Sequence, residues 1–150
     1  MSSWNIMRDW AQELWLSIYE FEDKIAKEDD NFDLNLDNKV REFWVHNDNF
    51  IFESRLARYF IPDSFKIFMK CENGERYKRI QNREQITMDE VLSKTKKRED
   101  ELVERYSKIY PSITFPPLEE EFDLVVDVTN ISPEEIVEII MSKILVNYMY

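Results

Sequence analysis

Residues 122–140, FDLVVDVTNISPEEIVEII, contain the clearest sign of the fold class. Residues 122–128 are mostly apolar and rich in valine, which is typical of a buried strand. Ser132, Pro133 and Glu135 then place a proline at the first helical position inside a capping box, and the apolar run after them predicts a helix. A buried strand followed directly by a helix indicates an α/β protein.

Two earlier segments, FIFE (50–53) and FKIFMK (65–70), are also short, apolar and β-prone, and both are predicted to be buried strands. Helical patterns separate the three strands along the chain, so we expect a parallel sheet. Helices are predicted from apolar spacing and capping residues over about 4–15, 17–28, 32–46 and 87–109, with another that follows a turn at Asn73–Gly74 and carries Tyr77, Ile80 and Arg83.

Composition narrows the class of protein. The 150 residues suit one domain, and a net charge of -11 argues against a nucleic-acid partner or an anionic membrane surface. No run approaches 18 apolar residues, so a membrane span is not expected. Cys71 is the only cysteine, which excludes an internal disulfide and a zinc cluster and favours a cytoplasmic location.

Glycine is almost absent, and Gly74 is the only one in the sequence. A loop that cradles phosphates needs several glycines, because its backbone must approach the ligand closely. The sequence contains no G-x-x-x-x-G-K-S/T motif. We therefore expect these residues to lack a phosphate-cradling loop for ATP.

The order of segments nevertheless resembles the cytidylate kinase family of nucleoside monophosphate kinases, most closely its compact archaeal-type branch. The likeness covers nearly the whole chain. It is carried by SSWNIMRDWA (2–11), IFESRLARYF (51–60), KIFMKCENGERYKRIQNRE (66–84), KKREDELVERYSKIY (96–110) and DLVVDVTNISPEEIVEII (123–140).

The resemblance implies an incomplete P-loop NTPase-type three-layer α/β fold, helix-rich, with about three parallel strands retained and a helical lid. Residues 1–150 would be one cytidylate kinase-like domain, with monophosphate-binding helices over about 4–46 and the lid over about 79–110. The complete family fold transfers the γ-phosphate of ATP to CMP or dCMP with Mg²⁺. Because the P-loop is not among these residues, we expect this chain alone to be inactive and to bind neither ATP nor Mg²⁺ tightly.

Departures from the family pattern matter as much as the likeness. The family begins with a strand, a P-loop, a helix and a second strand, all of which would lie before Met1. Trp4 and Ser54 stand where the family usually has glycine. In the family sheet order, 2-3-1-4-5, the first strand separates the third from the fourth, so we expect exposed strand edges here that invite self-association or a partner chain. The segment expected before Met1 would then be supplied by a partner polypeptide. A start codon assigned too late is the other explanation for its absence from this sequence.

The resemblance nominates seven residues for phosphate chemistry, which depends on converging positive charge and positioning. Ser3, Arg8 and Arg55 would bind the monophosphate of the acceptor nucleotide. Two groups belong to the lid: Arg98 and Arg105, seven residues apart on one helical face, would serve catalysis, and Arg79 and Arg83 would lie near ATP. No metal ligands are predicted.

Structural explanations compete with several of these assignments. Arg98 and Arg105 also suit a solvated helix with ion pairs four residues apart. His46 suits a helix end, and Asp123 and Asp127 suit exposed strand ends. The aromatic residues Trp10, Trp15, Phe21 and Trp44 are predicted to pack in the core rather than to form a base-stacking platform.

Three functions remain open from the sequence. The first is an enzyme, a cytidylate kinase represented by its C-terminal part. The second is a degenerate, non-catalytic nucleotide-binding or interaction module. The third is an acidic helical interaction protein whose likeness to kinases is coincidental, which requires that FIFE and DLVVDV do not lie in a parallel sheet.

Overall fold

The structure is a computed structural model and describes residues 1–21 and 31–148. The chain divides into two compact units, Met1–Ser64 and Phe65–Tyr150. The expectation of a single domain stays a prediction.

The elements in chain order are α1 (Ser3–Glu13), α2 (Ile18–Phe21), α3 (Phe32–His46), α4 (Ala57–Phe60), β1 (Ile67–Lys70), α5 (Asn73–Glu84), α6 (Met88–Ile109), a short 3-10 helix (Glu119–Glu121), β2 (Leu124–Asp127) and α7 (Pro133–Tyr148).

The first unit is built on an aromatic core between α1, α2 and α3. Phe32 lies at its centre, with ring centroids 5.9 Å from Trp10 and 5.6 Å from Phe21, both in edge-on geometry. Ala11 and Leu36 complete the buried cluster. The apolar spacing that predicted α1 and α3 therefore reflects the face that each helix buries.

The second helix begins as predicted. Ser17 and Glu20 form a reciprocal capping box, in which the Glu20 carboxylate accepts from the Ser17 backbone N–H at 3.0 Å and the Glu20 N–H donates to the Ser17 hydroxyl at 3.3 Å. The predicted continuation of this helix from residue 22 to residue 28 lies outside the described residues.

The second unit contains a parallel two-stranded sheet. Strand β1 pairs with β2 in a register that sets Ile67 opposite Leu124 and Lys70 opposite Asp127. The rings of Phe68 and Phe122 stack with centroids 4.9 Å apart. The helix-rich α/β class with parallel strands is thus confirmed.

The prediction of about three strands is wrong for the first of them, because the described sheet has two strands. The segment 50–53 does not form a strand of the sheet, and its strand-like pairing is limited to one parallel bridge between Ser2 and Glu53. Phe50 and Phe52 pack against Phe43, whereas Ile51 is 86% exposed. A continuous apolar run predicted burial on both faces, but residues 1–3 are too short a partner to extend a sheet and only one face of the segment is covered.

Helices α6 and α7 begin at their predicted capping boxes. Thr87 and Glu90 cap α6 reciprocally, and Ser132 and Glu135 do the same at α7. Helix α5 begins at Asn73, the first residue of the predicted turn, so Gly74 lies inside its first turn. A side chain at Gly74 would meet nothing within 4 Å, so neither packing nor backbone conformation requires the only glycine.

Candidate functional site

The start of α1 and residues 51–53 are joined by a short backbone ladder. The Glu53 N–H donates to the Met1 carbonyl at 3.0 Å, and the Ser3 N–H donates to the Glu53 carbonyl at 3.1 Å. The terminal amino group of Met1 also donates to the Ile51 carbonyl at 3.0 Å. The chain start is therefore anchored by hydrogen bonds to a segment fifty residues away.

This ladder brings two of the nominated residues to one edge. Ser3 and Arg55 each follow a residue of the parallel bridge, so both leave it at its carboxyl end. Ser2 caps α1 by accepting from the Asn5 N–H at 3.1 Å, which makes Ser3 the first residue of the helix. A helix N-terminus with an exposed arginine beside it is a favourable place for a phosphate, because the helix dipole and the guanidinium both contribute positive charge there.

Arg8 is placed differently. It lies five residues beyond Ser3 on α1, a rotation of about 140° around the helix at roughly 100° per residue. It lines an open groove of about 530 Å³ whose other lining residues are Ala11, Gln12, Trp15, Leu16 and Ser17. Ser3 and Arg8 thus stand on different sides of α1.

The aromatic prediction is wrong for one residue. Trp10 and Phe21 pack in the core and Trp44 is half-buried, as expected, but Trp15 is 95% exposed. Helix α1 ends at Glu13, and the backbone at Trp15 turns left-handed with φ 58°. The predicted end of the first helix at about residue 15 was the available signal, because a residue at a helix end need not follow the buried face of that helix.

Helices α5 and α6 form the hairpin that corresponds to the predicted lid region. The Arg76 guanidinium donates to Glu99 at 2.7 Å across the two helices. Burial of Arg76 opposes its charged form, but the hydrogen bonds and charges of Glu99 and Tyr77 together outweigh burial, so the pKa of Arg76 is raised. Arg98 and Arg105 are both exposed on α6. The ring of Tyr106 lies 5.8 Å from the Arg105 guanidinium carbon.

Arg79 and Arg83 have different surroundings although they are four residues apart. One terminal nitrogen of Arg79 donates to the carbonyls of Val128 and Thr129, at 2.9 Å each, and its Nε donates to Glu75 at 3.1 Å. Arg83 contacts Glu84 at 2.8 Å and its side chain is 70% exposed. The hydrogen bond to Arg83 lowers the pKa of Glu84, and the charge of Arg98 adds to the effect.

Structural hydrogen bonds occupy both ends of the β1–β2 pair, with Asp123 at the amino end and Asp127 at the carboxyl end. The Asp123 carboxylate accepts from the Lys66 N–H at 2.6 Å, and Asp127 accepts from the Thr129 N–H at 2.9 Å. The hydroxyl of Thr129 accepts from the Glu72 N–H at 2.9 Å. Both aspartates therefore order the backbone, which agrees with the structural explanation given for them from the sequence.

His46 and Cys71 also have local explanations. The Nδ1 of His46 lies 2.8 Å from the Glu42 carbonyl in the last turn of α3. The thiol of Cys71 lies 3.6 Å from the Glu72 carbonyl. Across residues 1–21 and 31–148, no three His, Cys, Asp or Glu side chains are grouped so as to hold a metal ion. Nor does any helix in this part of the chain combine the length and apolar character needed to cross a membrane.

Comparison with known proteins gives consistent matches. The sequence profile of the cytidylate kinase-like family matches residues 5–130. The cytidylate kinase of Methanobrevibacter smithii is 31% identical over 97% of this chain and 83% of its own length. That of Methanosarcina acetivorans is 36% identical over 73% of this chain and 63% of its own length, and that of Haloarcula marismortui is 29% identical over 96% and 74%.

Proposed function

Because the chain belongs to the cytidylate kinase-like family, we propose that it binds CMP or dCMP and presents the nucleotide for phosphorylation. One observation carries the proposal: the Ser2–Glu53 bridge that sets Ser3 and Arg55 beside the N-terminus of α1. The guanidinium of Arg55 can hold two phosphate oxygens, and the helix N-terminus adds partial positive charge. In a chain with a net charge of -11, such a local positive site is what would draw in an anion.

The lid arginines have a separate role in this proposal. Arg98 and Arg105 are seven residues apart on α6, so their Cα atoms rise by about 10 Å along one helical face. From that face they would neutralise charge that develops on the transferred phosphoryl group. Arg83 is exposed and could approach a phosphate, whereas Arg79 must first leave the carbonyls of Val128 and Thr129.

The donor side of the reaction does not fit the residues of this chain. Gly74 lies inside a helix, and the described residues offer no acidic cluster for Mg²⁺. We therefore expect that these 150 residues alone do not turn over ATP. The groups that hold ATP and Mg²⁺ would have to come from other polypeptide, either further sequence or a partner.

A non-catalytic nucleotide-binding module is the second candidate. Two observations favour it: bulkier Trp4 and Ser54 occupy positions where the family pattern has glycine, and Arg79 is engaged by backbone carbonyls. In this role the chain would bind the acceptor nucleotide but would not take part in phosphoryl transfer. Cytidine monophosphate binding is common to both candidates.

Calorimetric titration of the full chain with CMP, dCMP and ATP tests the proposal. We expect CMP to bind, ATP to bind weakly or not at all, and Arg55→Ala to weaken CMP about tenfold or more through loss of a charge-assisted pair. Lys39→Ala is the matched control, because it also removes one positive charge from the first unit, and Lys39 pairs with Glu42 at 3.4 Å on the same helix, α3. Equal affinities of the two variants for CMP would refute the assignment of Arg55.

Activity is measured separately, as CMP-dependent formation of ADP. We expect none from the chain alone. CDP formation that survives dilution and repurification of the chain would overturn the expected inactivity while supporting the acceptor site.

The outer edge of β1 supports the expected association with another chain. The carbonyls of Lys66 and Lys70 accept from β2 at 3.1 and 2.8 Å, so by alternation the backbone groups of Met69 face the opposite edge. In the described residues β2 is the only strand neighbour of β1, and Met69 is 57% exposed. We expect a strand from another polypeptide to pair there.

Sedimentation at increasing concentration tests this association. Met69→Pro removes the outward N–H and should abolish a dimer that pairs through this edge. Met69→Thr keeps the N–H and is the matched control. A chain that stays monomeric at every concentration would exclude self-association through β1 but leave a different partner chain to be tested by co-purification.

A further inference from the structure

Trp15 occupies a backbone position that usually requires glycine. The Trp15 N–H donates to the Gln12 carbonyl at 3.0 Å, and the Leu16 N–H donates to the Ala11 carbonyl at 2.9 Å. This pair of hydrogen bonds is the Schellman motif that ends a helix, and its left-handed residue is here a tryptophan with φ 58°. A bulky side chain raises the energy of that conformation because its Cβ crowds the backbone.

In the part of the chain that the structure describes, the packing of Trp15 does not compensate for this strain. The indole is 95% exposed, although it is the largest apolar side chain that a sequence can place there. An aromatic ring held in solvent at the cost of backbone strain is a feature that points to a ligand rather than to folding.

The surroundings of Trp15 define the chemistry of that ligand. The groove of about 530 Å³ beside it has apolar walls from Ala11 and Leu16, and among the described residues that line it Arg8 is the charged one. The acidic residues of α1, Asp9 and Glu13, are rotated by about 100° and 140° from Arg8 around the helix. One aromatic face and one positive charge on an apolar floor suit a planar ring that carries an anionic group.

We propose that the base of the acceptor nucleotide stacks on Trp15, with its phosphate directed along α1 toward Arg8. This inference rests on the proposed function and adds the residue that recognises the base. Arg8 and Trp15 are seven residues apart, a separation that corresponds to a rise of about 10 Å along a helix. This span is comparable with the length of a nucleoside monophosphate from its ring to its phosphate. Stacking accepts any base, so Trp15 would contribute affinity for a nucleotide without separating cytosine from uracil.

Tryptophan fluorescence and calorimetry on the full chain test the proposal with two probes. CMP carries base and phosphate, whereas ribose 5-phosphate carries the phosphate without a base. We expect CMP to quench the indole emission of the natural chain, Trp15→Phe to lose most of that quench, and Trp44→Phe, the control on α3, to retain it. Trp15→Gly should weaken CMP about tenfold, the loss of one base–aromatic stack, and leave ribose 5-phosphate unchanged.

The glycine variant also guards against misfolding as an explanation. Because glycine adopts the left-handed conformation without strain, Trp15→Gly should raise the unfolding temperature while it weakens CMP. A change in binding that accompanies a lower unfolding temperature would instead assign Trp15 a structural role and overturn the inference.

The remaining outcomes separate this inference from the function on which it rests. If CMP binds the natural chain and Trp15→Gly equally well, the stack is refuted and the acceptor site stands. If CMP does not bind the natural chain at all, both fail. If Trp15→Gly weakens ribose 5-phosphate as much as CMP, Trp15 acts on the phosphate end and the base platform is refuted.

Discussion

Residues 1–64 and residues 65–150 differ in what stabilises them. Among the described residues of the first unit, nine apolar side chains are buried, including the aromatic rings of Phe21, Phe32 and Phe60. In the second unit few apolar side chains are fully buried: Val91, Leu102, Val126 and Val128. Its elements are instead tied by hydrogen bonds and ion pairs between polar groups, such as Arg76 with Glu99 and Lys70 with Glu119.

This difference has a consequence for stability. Apolar burial contributes about 25 cal/mol per Å², whereas an exposed ion pair contributes about 0–1 kcal/mol. Helix α7 adds to the contrast because apolar side chains on several of its faces remain exposed: Val137, Ile139, Met141, Leu145 and Val146. The second unit therefore has apolar surface that a partner can still cover, which accords with pairing at the edge of β1.

The largest expected effect concerns the aromatic core. Phe32→Ala should destabilise the first unit by about 3–5 kcal/mol, because it removes a buried ring and leaves a cavity between Trp10 and Phe21. Hydrogen exchange of the full chain is the measurement. Protection should be lost in α1 and α3 and retained in β1 and β2. Equal loss in both units would show that they unfold together and would remove the contrast between them.

A smaller effect is expected for the polar ties of the second unit. Arg79→Ala should cost about 1–2 kcal/mol, since two carbonyls at the end of β2 lose a charged donor that is itself partly exposed. Arg83→Ala is the matched control and should change stability by less than about 0.5 kcal/mol. Urea denaturation distinguishes the two, and equal midpoints would mean that Arg79 does not stabilise the fold.

Removal of the N-terminal cap of α6 should reduce stability by a further small amount. Thr87→Ala removes the hydroxyl that accepts from the Glu90 N–H and should destabilise the second unit by about 1 kcal/mol. Ser93→Ala, an exposed position in the same helix, should have little effect or stabilise slightly. Thermal unfolding measures both variants. A Thr87→Ala variant as stable as the natural chain would indicate that α6 frays at its start.

The smallest expected effect is a dependence on pH. The hydroxyl and backbone N–H of Thr129 lower the pKa of Asp127 from its ordinary value of 3.8. Because the lowered value belongs to the folded state, this stabilisation is present above about pH 4 and is lost as the pH falls through the folded pKa. Asp127→Asn should therefore flatten acid unfolding below pH 4, whereas Asp100→Asn on the exposed part of α6 should not. Identical acid profiles for the two variants would contradict the role of Asp127.

Local features of the fold were predictable from the sequence. The capping boxes at Ser17, Thr87 and Ser132 were all identified, because each depends on residues within three positions of one another. The parallel pairing of the strands 65–70 and 122–128 followed from the helices between them. The seven candidate site residues were nominated by resemblance, and their roles stay predictions.

Other features could not be obtained in that way. The partners of Arg79 lie 49 and 50 residues away, and a helical pattern does not reveal which carbonyls a guanidinium reaches. The segment 50–53 reads as a strand because of its composition, yet whether a strand forms depends on a partner of sufficient length.

By itself, then, the sequence determined the family, the positions of the helices and the lack of a glycine-rich loop in these residues. Tertiary structure alone decided that Ser3 and Arg55 share an edge while Arg8 lies across the helix, and that Trp15 faces solvent. The physical reason is range. Caps and helical faces depend on neighbours a few residues apart, whereas exposure and strand pairing depend on which distant segments pack against them.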